Sequence, residues 1–259
     1  MKKLLKIFLL TLLFAIIFLI LTAIETFFLS DDLEVSRVAH AGGEYNSQTY
    51  TNSIDALNYN KENYNFFELD LLLTSDNSVI CLHDWDSSFK GTFNKETKKP
   101  ISLAEFNLLV RNNKKYKNCT LESLIKWLDE NPSKTIITDV KDDNKKILKF
   151  IAANYSDYSN RFIPQIYEPS EYQIIRDIGY KRIIWTLYKH DFSAKYVMKH
   201  VKDMDGLYAV TMPTSRARDG LGMKLKNLGI HSFVHTINSR FRLLILRVRG
   251  IDEIYTDRI

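Results

Sequence analysis

Three observations predict an α/β fold of the (β/α)8, TIM-barrel type, preceded by an N-terminal transmembrane helix. From His40 onward, strand-like and helix-like segments alternate with turns of a few residues. About eight strands precede a last extended piece at Ile254-Tyr255-Thr256; repeated βα units imply parallel strands, and eight suffice to close a barrel. Residues 7–24 carry no charge and are almost all Leu, Ile, Phe, Ala or Thr. An open doubly wound sheet is the other fold this order allows, but no Gly-rich dinucleotide loop follows any strand.

Taken in order, the apolar run comes first. Its residues would rise about 27 Å as a helix, near the thickness of a hydrocarbon core. Lys2, Lys3 and Lys6 precede it and Glu25, Asp31, Asp32 and Glu34 follow it. The positive-inside rule then puts the N-terminus in the cytoplasm and the rest of the chain outside, as a single-pass membrane protein. A cleavable signal peptide is the competing reading, but Leu21-Thr22-Ala23-Ile24-Glu25 offers a poor small-residue site. The expected organisation is an anchor at 1–30 and a barrel at 35–259.

Within the barrel, Glu34 to His40 reads as a strand broken by Ala41-Gly42-Gly43. Asn52-Ser53 can cap a helix reaching about Tyr64. Asn65 to Leu73 is a second strand, Ser75-Asp76-Asn77-Ser78 a turn, and Val79 to His83 a third strand. Residues 85–118 are rich in Lys, Asn and Ser, with a short helical piece from Ser102 to about Arg111, and read as a basic insertion. Its Lys90, Lys95, Lys98, Lys99, Arg111, Lys114, Lys115 and Lys117 suit either a solvated face or contact with anionic headgroups. Then follow helix 120–129, strand 135–141, helix 145–155, strand 162–167, helix 169–178, strand 182–188, helix 194–201, strand 207–212, helix 219–227, strand 231–237 and helix 239–249.

Bulk properties exclude several classes. The 259 residues, 45% hydrophobic and 12% aromatic, can build a sizeable core and are neither disordered nor low-complexity. Of the net charge of +5, three units lie on the lysines before the apolar run. The remainder is too small to favour nucleic acid as a partner. Cys81 and Cys119 form no C-x-x-C pair, so a zinc site or disulfide scaffold is not indicated. A single bridge between them is chemically permissible and nothing in the sequence requires it.

In a βα barrel the functional residues sit at the C-terminal ends of strands. Strand one ends in His40, strand two carries Glu68 and Asp70, and strand three ends in His83-Asp84. Strand four carries Asp139 and Lys141, strand five ends near Glu168, and strand eight carries His235 and Asn238. Glu68 and Asp70 are two apart and share one strand face, as do Asp139 and Lys141. Neighbouring carboxylates between apolar residues repel each other and are costly to desolvate, and a cation removes both problems. Each group alone also has a plain explanation, such as a solvated strand face, a satisfied core histidine or a structural ion pair. Together, Glu68, Asp70 and Asp139 make an oxygen-only set suited to Mg²⁺ or Ca²⁺. Two histidines can serve as general acid and base, and Lys141 can neutralise a phosphoryl oxygen. These are the parts needed to cleave a phosphodiester.

Here the residues resemble a known family. Val38-Ala39-His40-Ala41-Gly42-Gly43 resembles the opening His-Arg-Gly of the glycerophosphodiester phosphodiesterases, within the wider phosphatidylinositol-specific phospholipase C-like barrels. Thr51-Asn52-Ser53 stands where that family has Glu-Asn-Thr. Glu68-Leu69-Asp70 with Thr74, Asp76 and Val79 resembles its Glu-x-Asp segment and turn. His83-Asp84 matches its His-Asp pair, and Asp139-Val140-Lys141 stands for Glu-x-Lys. Val234-His235-Thr236-Ile237-Asn238 resembles Trp-Thr-x-Asn, and Gly250 to Asp257 resembles the closing Gly-Val-Asp-Gly-Ile-x-Thr-Asp. The resemblance covers about residues 35–258.

It implies His40 and His83 as the acid/base pair, Glu68, Asp70 and Asp139 as ligands of a divalent cation, and Lys141 as a phosphate contact. Glu168, His235 and Asn238 join Lys141 as expected substrate-binding residues. The implied substrate is a small phosphodiester or phospholipid headgroup. The sequence departs from the family at Ala41, where an arginine would touch phosphate, at Thr51, at the shorter Asp139, and at His235, where a Trp would wall the pocket. Two further readings stay open: a metal-independent phospholipase C-like lyase, and an inactive barrel binding an envelope polymer or partner.

Overall fold

Eight parallel strands close on themselves in the computed structural model, which describes residues 2–29 (side chains for 6–22 alone) and 37–258. The chain divides into two units, Met1–Val35 and Ser36–Ile259.

The first unit contains helix α1 (Lys2–Leu29). Among the described residues, no helix is long and apolar enough to cross a membrane. The transmembrane helix expected from residues 7–24 is therefore withdrawn. With it go the single-pass, extracytoplasmic location and the membrane as a partner through this helix.

In the second unit the barrel strands are β1 (Arg37–Ala39), β2 (Phe66–Leu73), β4 (Thr135–Val140), β5 (Phe162–Ile166), β6 (Ile184–Thr186), β7 (Ala209–Pro213), β8 (His231–His235) and β9 (Glu253–Thr256). Each pairs in parallel with the next, and β1 closes the ring by pairing with both β2 and β9. The last extended piece is thus the eighth barrel strand. The segment expected as the third parallel strand is instead β3 (Val79–Cys81), antiparallel to the end of β2 through Leu71↔Cys81 and Leu73↔Val79. The reason lies in the connection. Parallel neighbours need a crossover of about a dozen residues or more, whereas the link after Leu73 is only long enough for a hairpin.

Helices α2 (Ile54–Asn60), α5 (Leu121–Glu130), α6 (Asn144–Asn154), α7 (Glu171–Ile178), α8 (Ala194–His200), α9 (Leu221–Lys226) and α10 (Arg240–Val248) connect the strands. Ser53, Thr120, Asp143 and Ser193 cap α2, α5, α6 and α8 through side chains that accept a backbone N–H. Between β3 and α5, α3 (Ser87–Phe93) and α4 (Leu103–Asn112) enclose a small core of Leu72, Ile80, Leu82, Phe89 and Phe106. Ser102 and Glu105 close a capping box on α4. Lys117 is spent on its other end, donating to the carbonyls of Val110 at 2.9 Å and Arg111 at 3.0 Å. A disulfide joins Cys81 to Cys119 and ties the end of β3 to the start of α5.

Inside the barrel, Val38, Ile137, Ile163, Ile184, Ala209, Phe233 and Tyr255 form one apolar layer, with Phe66 against it. Every barrel strand contributes one of these residues. Two residues further on, strand alternation returns each chain to the same face. The residues there are His40, Glu68, Asp139, Gln165, Thr186, Thr211, His235 and Asp257. The layer nearest the C-terminal ends of the strands is thus polar throughout, directly above a dry one.

Candidate active site

Glu68, Asp70 and Asp139 come together at this polar end. Asp70 lies beside Asp139 in the β2–β4 register. One oxygen from each carboxylate lies within 4.8 Å of the others, and all three residues are buried. Lys141 Nζ sits 3.0 Å from Asp70 Oδ1 and 2.7 Å from Asp139 Oδ2. Burial opposes charge on this ammonium, but Asp70, Asp139 and Glu68 outweigh it and hold Lys141 well above the ordinary lysine range.

The three acids are unequally satisfied. Asp70 Oδ2 accepts from Asn52 Nδ2 at 2.8 Å, and Asn52 Oδ1 accepts the Asp70 N–H at 2.9 Å. Asp139 accepts from the hydroxyls of Tyr167 and Tyr188, the latter at 3.0 Å to Oδ2. Burial raises the Asp139 carboxyl, yet the Lys141 charge and the hydrogen bonds from Lys141, Tyr167 and Tyr188 carry it below the usual range. Glu68 differs. Its Oε2 accepts the Ala41 N–H at 2.8 Å, while its buried Oε1 has no partner. Burial first, then repulsion from Asp70, push Glu68 up to about 8. A buried carboxylate oxygen without a donor is costly. Glu68 shares its all-oxygen cluster with two further carboxylates, a fit to a hard divalent cation.

The turn that delivers Ala41 N–H to Glu68 follows His40. Ala41, Gly42 and Gly43 all have positive φ, at 48°, 88° and 84°. A Cβ on Gly43 would also stand 2.7 Å from Asn60 Nδ2, the group that holds the turn through the carbonyls of Gly42 and Glu44. The Ala41 side chain is fully buried.

His40 Nδ1 lies 2.8 Å from Asp257 Oδ1, and Asn238 Nδ2 donates to Asp257 Oδ2 at 2.6 Å. Burial lowers the His40 pKa, but the Asp257 hydrogen bond and the charges of Glu68, Asp257 and Asp70 prevail and raise it. His83, more open, lies 3.0 Å from Asp84 Oδ2. Ser87 and Ser88 hydroxyls and the Asp86 and Ser88 amides also converge on Asp84. The Tyr50 ring meets both imidazoles edge-on, with centroids 4.4 Å from His40 and 6.1 Å from His83. Burial, and then Glu68, push the Tyr50 hydroxyl up to about 12.

The remaining expected residues divide. His235 points inward between Tyr188 and Tyr255, its Nε2 buried without a partner; burial, with the charge of His40, lowers it to about 4. Asn238 reaches the site through Asp257. Glu168 does not join the acid cluster but pairs with His190 Nε2 at 2.7 Å. The inward position at the end of β5 belongs to Tyr167, two residues beyond Gln165.

The sequence gives no site role to Tyr50, Tyr167 or Tyr188, nor to Asn52 and Asp257, which stand in segments resembling family motifs. Alternation from Ile163 and Tyr255 marks Tyr167 and Asp257. Asn52 lies in a loop, and its placement follows from a left-handed φ of 47° that no periodicity reveals.

The sequence profile of the Glycerophosphoryl diester phosphodiesterase family matches residues 40–259. The chain belongs to this family. It is accordingly a phosphoric diester hydrolase. A glycerophosphoryl diester phosphodiesterase from Parabacteroides distasonis has the same fold (TM-score 0.69, 16% identity, covering 88% of this chain and 85% of that one). So does a glycerophosphodiester phosphodiesterase from Thermotoga maritima (TM-score 0.66, 21% identity, 86% and 95%). A phosphodiesterase from Oleispira antarctica, solved with the product sn-glycerol-3-phosphate, is also similar (TM-score 0.67, 14% identity, 86% and 92%). No curated protein matches the chain.

Proposed function

We propose that this barrel hydrolyses a small phosphodiester, of the glycerophosphodiester or phospholipid-headgroup class, with a divalent cation and the His40/His83 pair. The observation that carries the reading is the unpartnered Glu68 Oε1 within a buried three-carboxylate cluster. Glu68, Asp70 and Asp139 would hold Mg²⁺ or Ca²⁺, which draws charge from the non-bridging phosphoryl oxygens when bound. Lys141, anchored between Asp70 and Asp139, presents a permanent positive charge beside the same oxygens.

The two imidazoles differ in a way that divides their work. His40 is enclosed and paired with Asp257, whose hydrogen bond raises its pKa and favours the protonated form, which suits the leaving alkoxide. His83 is more exposed and reachable by water, and Asp84 fixes its Nδ1, leaving Nε2 to accept the proton of the attacking water. Asp257 itself is held in place by Asn238. Tyr50 meets both rings edge-on.

The test is hydrolysis of a glycerophosphodiester by His40→Ala and His83→Ala, each with unchanged thermal stability. Loss of at least a hundredfold in kcat in both supports the pair. Full activity in either removes that residue from the mechanism. Activity indifferent to chelator would instead favour the metal-independent lyase chemistry.

A further inference from the structure

Lys141 is a constrained phosphate ligand. Its ammonium makes two short contacts to carboxylates, so most of its charge is already balanced. Two other cations that follow strand ends are likewise committed. Arg216, after β7, pairs with Asp191 at 2.8 Å, and Arg258, after β9, pairs with Glu44 at 3.3 Å. Position 41 offers only a buried methyl group. An anionic phosphodiester gathers further negative charge on its oxygens as it reacts and needs a cation free to follow it.

Lys189 meets that need. It lies three residues past β6, at the C-terminal end of the barrel, and is exposed. Its Nζ sits 3.5 Å from the Tyr167 ring centroid and 6.0 Å from that of Tyr188. Lys141 Nζ lies 5.7 Å from the same Tyr188 ring. Both tyrosine hydroxyls bond Asp139, so the two lysines flank one aromatic wall of the acid cluster. Among the described residues, no carboxylate lies within ion-pair distance of Lys189. Burial against the rings lowers its pKa, with the charge of Asp139 acting the other way. A cation held on ring faces keeps its hydrogen-bond donors unspent, because the attraction is electrostatic and uses no N–H.

We infer that Lys189 is the second phosphate-binding cation of this site, moving from the Tyr167 face onto a non-bridging oxygen of the bound phosphodiester or of a phosphomonoester product. The inference rests on the proposed phosphodiesterase reading, because it needs a phosphoryl group above the Glu68, Asp70 and Asp139 cluster.

The experiment is calorimetric titration of the full chain, with Mg²⁺ or Ca²⁺ present, with sn-glycerol-3-phosphate as probe. Wild type is compared with Lys189→Met, Lys189→Arg and, as an exposed control on α8, Lys199→Met. A charge-assisted hydrogen bond to phosphate predicts binding weakened about tenfold or more in Lys189→Met. Lys189→Arg should recover most of this, Lys199→Met should bind as wild type does, and all melting temperatures should agree. With a glycerophosphodiester as substrate, Lys189→Met should raise KM. Binding within twofold of wild type in Lys189→Met, an equal loss in Lys199→Met, or no binding by wild type overturns the inference. Wild-type protein that binds the probe but cleaves no glycerophosphodiester overturns the functional reading and leaves the Lys189 result standing on its own measurement.

Discussion

Glu68→Gln should make the metal-free protein more stable while abolishing its activity. The carboxyl is buried, one oxygen lacks a partner, and its pKa is pushed up from 4.5 to about 8. Below 4.5 both folded and unfolded chains hold the proton and no penalty exists. As pH rises above 4.5 the unfolded chain releases its proton first, so folding must take one up and stability falls until the folded group also ionises near 8. At pH 7 the gap of about 2.5 units corresponds to about 3 kcal/mol at 1.36 kcal/mol per unit. Glutamine is neutral at every pH and can still accept the Ala41 N–H. Chelated Glu68→Gln should therefore exceed chelated wild type by up to about 3 kcal/mol at pH 7, or several degrees in Tm for a domain of this size. The gap should close toward pH 4.5. Urea unfolding of both proteins from pH 4.5 to 8 measures it. A variant less stable than wild type at pH 7, or a gap that does not shrink in acid, refutes the electrostatic account of this cluster.

Other changes probe its neighbours. Asp257→Asn removes the strongest support for protonated His40, so the alkaline limb of kcat/KM should move about one unit lower, read from a pH–rate profile. His40 contributes stability that is present below pH 6.5 and lost as pH rises through its raised folded value, so the same variant should flatten that part of the stability curve. His235→Phe should hold an advantage on the acid side, because a buried imidazole lowered from 6.5 to about 4 costs stability as pH falls through that window; acid denaturation of the two proteins compares them. Reducing Cys81–Cys119, which closes a loop with a sequence separation of 38, should cost about 4 kcal/mol, read as a shift of the urea midpoint with and without reductant.

Much of the site is legible in the sequence because barrel strands alternate. Once Ile137 and Phe233 are inside, Asp139 and His235 must also face inward, and the same rule gives His40 and Glu68. The errors come from register and connection length. At β5 the expected residue was Glu168, one position past the inward-facing Tyr167. Val79 to His83 resembles a barrel strand in composition, and only the shortness of the link from Leu73 reveals a hairpin. Tyr50 and Asn52 lie in a loop whose left-handed turns follow no period, so their approach to the histidines and to Asp70 was not visible. Residues 7–24 satisfied a composition rule for membrane spanning, whereas no described helix is long and apolar enough to cross a membrane.

The central claim is that Glu68, Asp70 and Asp139 hold a divalent cation needed for phosphodiester hydrolysis. It is tested most directly by following release of glycerol phosphate from a glycerophosphodiester by chelated protein, before and after adding back Mg²⁺ or Ca²⁺. The account predicts no turnover in chelator, recovery with one of the two ions, and no recovery in Asp70→Asn. Equal turnover with and without chelator, or ion-restored turnover in Asp70→Asn at the wild-type rate, would contradict it.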